Sequence, residues 1–155
     1  MLTIEPADPR DTGPRTLLEA SHALMRDTFP PEENYFLELD ALCGPDIRFF
    51  SARDGDQTVG VGALALRAGY GEVKSMFTSE AARGKGVAAA LLRQIEDAAL
   101  KEKLSLLRLE TGEALDAAVR LYEKSGFKRC GIFGDYVPNT SSVYMEKTLT
   151  APRDI

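Results

Sequence analysis

The spacing of apolar and polar residues predicts most of the elements before any other property is consulted. Leu2 to Glu5 alternates briefly and reads as a strand, and Thr16 to Met25 places Leu17, Leu18, Ala20, Leu24 and Met25 close to helical spacing. Pro30 and Pro31 end any helix there, because each lacks the backbone N–H a helix interior needs. Ile47 to Arg53 and Thr58 to Leu66 are rich in β-branched and aromatic residues around Asp54-Gly55-Asp56, which predicts a hairpin. Glu72 to Thr78 reads as the next strand, with Gly69 and Gly71 marking the turn before it.

From Gly86 to Lys103 the residues Val87, Leu91, Ile95 and Ala98 make one helical face, and the opposite face is charged. Leu104 to Leu109 then reads as a buried strand. Ala114 to Lys124 is a second amphipathic stretch, closed by Gly126 and Phe127 in the pattern of a left-handed cap. A last antiparallel pair is expected over Lys128 to Ile132 and Ser142 to Leu149. The order predicts an α/β (mixed α+β) architecture: a central mixed sheet, largely antiparallel with one parallel crossover, flanked by helices. No repeat or composition break divides it, so a single domain over 1–155 is expected.

Composition narrows the function. With 44% hydrophobic and 28% charged residues the chain is an ordinary globular one. Its net charge of −5, with no basic run, argues against nucleic acid, whose phosphates are bound through Lys and Arg. The longest apolar stretches, Val61 to Leu66 and Val87 to Leu92, fall far short of the roughly 18 residues of a membrane span. Glu5 and Asp8 precede any apolar run, so no signal peptide is expected and the reading is cytoplasmic. Cys43 and Cys130 follow no metal-ligand spacing, and no metal is expected. The only histidine, His22, lies on the first helix and is read as a surface or core residue.

Charge is uneven along the chain. The first 60 residues hold 12 acids and 5 bases, and residues 61–104 hold 5 acids and 7 bases. If two ligands meet here, a cationic one is favoured by the first segment and an anionic one by the second. The most specific local feature belongs to that second segment: Arg83-Gly84-Lys85-Gly86-Val87-Ala88, between a strand and an amphipathic helix. Glycines let backbone approach a ligand, the first helical amides lack internal partners, and the helix dipole is positive there. This is an anion site by construction.

Three phosphate-binding readings compete for it. The P-loop fails, because Lys85 is followed by Gly86 rather than Ser or Thr. Gly84, Gly86 and Ala89 satisfy the dinucleotide pattern, with Glu110 closing the next strand. Against that, five residues separate the strand from the first glycine and only one crossover exists. In the third reading, Arg83-x-x-Gly86-x-Ala88 resembles the Q/R-x-x-G-x-G/A signature of the GCN5-related N-acetyltransferases. Leu121-Tyr122-Glu123-Lys124-Ser125-Gly126-Phe127 is similar to that family's L-Y-E-K-x-G-F helix ending.

The resemblance, which covers Ile47 to Lys147, implies acetyl-CoA as co-substrate and transfer of its acetyl group to an amine by direct attack in a ternary complex. It implies that Met76, Phe77 and Thr78 pair with the pantetheine arm. Gly84, Lys85, Gly86, Val87 and Ala88, with the Arg83 side chain, would hold the pyrophosphate. Tyr122 matches the tyrosine proposed to protonate the leaving sulfur, and a phenol of pKa about 10 is protonated at neutral pH. A core tyrosine is the alternative.

Glu72 is the expected general base, with a solvent-facing strand glutamate as its alternative. Glu32, Glu33 and Asp135 would attract an ammonium acceptor, on segments 24–34 and 133–139. Lys124 reads as a helix-end lysine or a phosphate ligand. One departure stands out: where many members carry an asparagine, this chain has Leu115, and Thr111 or Glu113 is left to take that contact. Acceptors consistent with the resemblance are small-molecule or peptide amines, and a homodimer is the family-level expectation. A catalytically silent coenzyme A-binding module is the rival from another class, and a dinucleotide-binding oxidoreductase a further one.

Overall fold

A computed structural model describes residues 1–150; residues 151–155, the end of the expected single domain, lie outside the described residues. The chain runs β1 (Leu2–Pro6), α1 (Thr12–Thr28), a one-turn 3₁₀ helix (Pro31–Glu33) and α2 (Leu39–Leu42). It continues through β2 (Ile47–Asp54), β3 (Gln57–Arg67), β4 (Tyr70–Thr78), a second 3₁₀ turn (Glu80–Ala82) and α3 (Val87–Lys101). It ends with β5 (Leu106–Gly112), α4 (Asp116–Lys124), β6 (Lys128–Arg129) and β7 (Ser142–Thr148). Helix α1 begins a turn earlier than its apolar pattern, because Pro14 falls in the first turn, where no N–H bond is lost. The turn before β4 is Ala68-Gly69, and Gly71 lies inside the strand.

One seven-stranded sheet has the order β1-β2-β3-β4-β5-β7-β6, mostly antiparallel with a parallel β4–β5 pair. The final hairpin is shorter than its pattern: β6 keeps two residues, and β7 sits between it and β5, buried between two neighbours. Because β7 rather than β6 lies beside β5, the apolar positions Val143 and Met145 have strands on both sides and are buried.

Alternation along the strands sends apolar side chains to two cores. On one face Val59, Leu64, Val73, Leu107 and Leu109 pack under Val87, Leu91 and Ile95 of α3, with Tyr122 of α4 and Phe127 beyond it. On the other, Val61, Ala63 and Ala65 meet Leu17 and Leu18 of α1 and Leu42 of α2. Full burial of a side chain such as Ile95 contributes about 1.5–3 kcal/mol.

What positions the site is a failure of pairing. Strands β4 and β5 share only Gly71↔Leu107 and Glu72↔Arg108 before they part. Just beyond, the β3–β4 register shifts between Val61 and Ala63, and Ser75 takes a left-handed φ of 59°. This bulge bends β4 away from β5. Gly62 accommodates it: a Cβ there would stand 2.6 Å from the Met76 sulfur. No helix among the described residues is long and apolar enough to cross a membrane.

Candidate active site

The gap between the parted strands opens into a cleft of about 660 Å³. Its walls are Met76, Phe77 and Thr78 of β4, the loop Arg83, Gly84 and Gly86, the start of α3, and the start of α4 with Leu121 and Tyr122. On the β5 side, β4 has no strand partner past Glu72, so its amides and carbonyls there are open to a ligand.

The loop at the end of β4 is shaped by two glycines. Gly84 and Gly86 have φ of 80° and 81°, and an added Cβ at either would meet nothing within 4 Å. Left-handed backbone therefore requires glycine here, not crowding. Gly86 caps α3 without any side-chain bond, and the first helical bond made from this end is Ala90 N–H to the Gly86 carbonyl. The amides of Val87, Ala88 and Ala89 thus lack helical acceptors at a positive dipole end.

Arg83 lies over Phe77, 5.6 Å from its ring centre, and donates to the Thr78 carbonyl at 3.2 Å, which binds the loop to the strand end. Lys85 is turned away: it lines a separate recess of about 260 Å³ with Met1, Asp54 and Gln57. Leu115 caps α4 and faces the cleft, so the position where the resemblance led us to expect asparagine is apolar here. Neither suggested replacement reaches it, since Thr111 is buried in β5 and Glu113 pairs with Arg129 at 3.6 Å.

Tyr122 lines the cleft from α4 and is otherwise buried; among the described residues its hydroxyl has no hydrogen-bond partner. Burial pushes the phenol above its ordinary pKa, and the Glu110 carboxylate raises it further. It stays protonated at neutral pH, the state a proton donor needs.

Across the sheet, a different arrangement occupies the face that carries Glu72, Lys74, Arg108 and Glu110. Glu72 is 3% exposed and does not line the cleft. It accepts from Arg67 at 3.3 Å and from the Tyr136 hydroxyl, and the Lys74 ammonium stands 3.6 Å away. Lys74 in turn donates to the Tyr136 hydroxyl and to the Tyr35 carbonyl, both at 2.9 Å. Burial pulls the Lys74 pKa down, against the pull of Glu72 and Glu110. The cluster joins β4 to the segment after α1 and to the late loop.

Glu110 is the carboxylate left available. Its Oε2 accepts from Ser142 Oγ at 2.6 Å, and Oε1 has no partner among the described residues. Burial raises its pKa; the Ser142 bond and Lys74 oppose that rise, and Glu72 adds to it. Glu110 is a candidate functional residue that sequence reasoning passed over, having met it only as the acid closing the strand after the dinucleotide pattern. The signal was the alternation of β5, where apolar Leu107 and Leu109 imply that Arg108 and Glu110 share the other face.

The expected acceptor residues are spread out. Glu33 accepts from Ser141 Oγ at 2.7 Å and so fastens the segment after α1 to the late loop, helped by Tyr35 donating to the Val137 carbonyl at 3.4 Å. Glu32 and Asp135 are exposed, as is Lys124. His22 is buried, stacked on Phe36 at 4.2 Å, its pKa lowered chiefly by burial. Among the described residues no cluster of His, Cys, Asp or Glu could hold a metal ion.

Comparison with known proteins fits this geometry. Residues 17–127 match the model of the acetyltransferase (GNAT) family. The chain is 42% identical over 150 residues to an IAA acetyltransferase of Azospirillum brasilense, covering 96% of this chain and 98% of that one. It is 44% identical over 123 residues to the uncharacterized N-acetyltransferase YsnE of Bacillus subtilis, covering 77% and 82%. The fold is shared with a PaiA N-acetyltransferase from Thermoplasma acidophilum in complex with coenzyme A. The TM-score is 0.74 at 20% identity, covering 96% of this chain and 99% of that one.

Proposed function

This chain belongs to the acetyltransferase (GNAT) family and is an N-acetyltransferase that binds acetyl-CoA, and on that premise we propose how its own residues carry out the transfer. The acceptor is a primary amine of a small molecule or peptide, and it attacks the thioester directly while both ligands are bound. The observation that carries this reading is the parting of β4 from β5, which leaves an open strand edge running into a glycine loop.

The residues present suit the group. Gly84 and Gly86 leave open space at their α-carbons, and the free amides of Val87 and Ala88 point a positive dipole end at it, as a pyrophosphate needs. The backbone of Met76, Phe77 and Thr78 supports an extended amide-bearing arm in the manner of an added strand. Arg83 contributes charge, and Lys85, facing another recess, steers anions from a distance only. Acetyl-CoA supplies an activated acyl group on a good leaving sulfur.

Every other task falls to the chain. An alkylammonium must lose a proton before it can attack. Glu110, with one free oxygen and an affinity for protons raised by burial, is better suited to take it than Glu72, which already holds three partners. Tyr122, on the other side of the gap, returns a proton to the leaving thiolate. Amides of Met76 or Phe77 support the oxygen of the thioester carbonyl. The Glu33–Ser141 and Tyr35–Val137 contacts frame the acceptor entrance, with Leu24 and Val137 exposed at its rim.

The test begins with thermal unfolding in the presence of acetyl-CoA, desulfo-coenzyme A or NAD. Ligand at 100 times its Kd stabilises by about 2.7 kcal/mol, which for this size shifts the midpoint by roughly 5–10 °C. The first two ligands shift it and NAD does not. Thiol release is then followed over a panel of cationic, neutral and anionic amines. Binding without turnover on any amine would favour a silent coenzyme A-binding module.

A further inference from the structure

The late loop enters β7 through Asn139, Thr140, Ser141 and Ser142, and its hydrogen bonds run in one direction. Asn139 Oδ1 accepts from the backbone amides of Ser141 and Ser142, both at 2.8 Å. That fixes the side-chain amide, since the flipped form would set its NH₂ against two N–H donors. Asn139 Nδ2 then donates to Ser142 Oγ at 3.0 Å. With an acceptor role taken up by that bond, the single Ser142 proton is directed at Glu110 Oε2, 2.6 Å away.

We infer that Ser142, its hydroxyl aimed by Asn139, is a positioning residue that keeps Glu110 ionised through Oε2 and leaves its Oε1 free of protein partners among the described residues. The inference rests on the reading of Glu110 as the proton acceptor. A base in this place meets two opposed demands. Burial makes it hold protons more tightly, which helps it take one from an ammonium, yet too large a rise would leave it already protonated at working pH. The Ser142 bond favours the charged form and limits that rise. The other groups bearing on Glu110 are Lys74 and Glu72 of β4, Tyr122 of α4, Tyr144 of β7 and Tyr136 of the late loop. Lys74 alone among them also favours the carboxylate.

The test needs no acceptor. The protein is prepared with ¹³C-labelled glutamate side chains, the Glu110 carboxyl signal is assigned by its loss in Glu110→Gln, and its titration midpoint is followed by NMR. Ser142→Ala should raise the midpoint by roughly one pH unit or more, since a bond to a charged group is lost. Ser142→Thr, which keeps the hydroxyl, should restore it. Ser142→Ala leaves the backbone amide that Asn139 holds, and its melting transition checks that it folds. An unchanged midpoint in Ser142→Ala would overturn the inference while leaving the base assignment intact. Full acetyl transfer by Glu110→Gln would instead overturn the base assignment, with the titration result standing on its own.

Discussion

Glu72 and Arg108 face each other as the last residue pair of the parallel β4–β5 ladder, yet they turn their charges to different partners. Glu72 is held by Arg67, Lys74 and Tyr136. Arg108 lies 3.6 Å from Glu146 and stacks over Tyr70 and Phe133 at 4.9 and 5.6 Å. The ladder therefore ends at two charges that each turn sideways to other partners, Arg108 with an ion pair and aromatic faces but no hydrogen bond to its buried Nε, and no further strand pairing follows. The cleft begins at that point.

Lys74→Met tests the buried cluster. Lys74 is 9% exposed, and its loss leaves Glu72 buried with Arg67 and Tyr136 only. Stability in urea should fall by roughly 3 kcal/mol, at the lower end of the cost of removing one partner of a buried pair, because Arg67 remains. Combining it with Glu72→Gln should recover part of that loss; strictly additive effects would mean that the two residues do not interact.

Gly86→Glu tests the loop. The φ of 81° makes any side chain cost about 1–2 kcal/mol, while the open space around it lets the fold survive. Added bulk and negative charge at the anion site should abolish the thermal shift by acetyl-CoA. A shift of wild-type size in a folded variant would remove this loop from ligand binding.

Tyr122→Phe separates chemistry from binding. With an amine acceptor found, kcat should fall by about 10²-fold, the lower range for a general acid, while the acetyl-CoA thermal shift stays as in the wild type. The phenol makes no hydrogen bond within the described residues, so little stability is at stake in the change. Unchanged kcat would return Tyr122 to the core-residue alternative.

Glu110→Gln should show itself in the pH dependence of stability. The native carboxyl has a pKa raised above the ordinary value of 4.5, so between those two values the folded state binds more protons than the unfolded one. Stability contributed by this group is present at low pH and is lost as pH rises through that window. Differential scanning calorimetry should therefore find Glu110→Gln gaining on the wild type as pH is raised from 4 to 8. A constant difference would mean that Glu110 titrates normally.

How much of this could be read from the chain depends on which property decided each point. The loop was legible because Arg83-Gly84-Lys85-Gly86 combines backbone freedom, charge and a following amphipathic helix, all local features. The central strands were legible because Ile47 to Arg53 and Thr58 to Leu66 are rich in β-branched, aromatic and apolar residues around the Asp54-Gly55-Asp56 turn, as a strand buried on both faces requires. The burial of Glu72 among partners was not legible, because Arg67, Lys74 and Tyr136 are drawn to it by the turn before β4 and by a loop 64 residues away. Lys85 was counted with the loop, but which way a side chain leaves a left-handed turn is set by three-dimensional context. The insertion of β7 beside β5 and the bulge at Ser75 likewise depend on pairing between distant segments, and no local pattern marks either.

The sheet is in effect two plates, β1 to β4 and β5 to β6, riveted at two residue pairs. A ligand laid along β4 supplies the missing rung between them, so binding and the cooperativity of unfolding become one property. Without ligand, those amides between Lys74 and Thr78 that face away from β3 should exchange deuterium as a sheet margin does; with acetyl-CoA they should exchange as interior strand, and the two plates should melt as a single body.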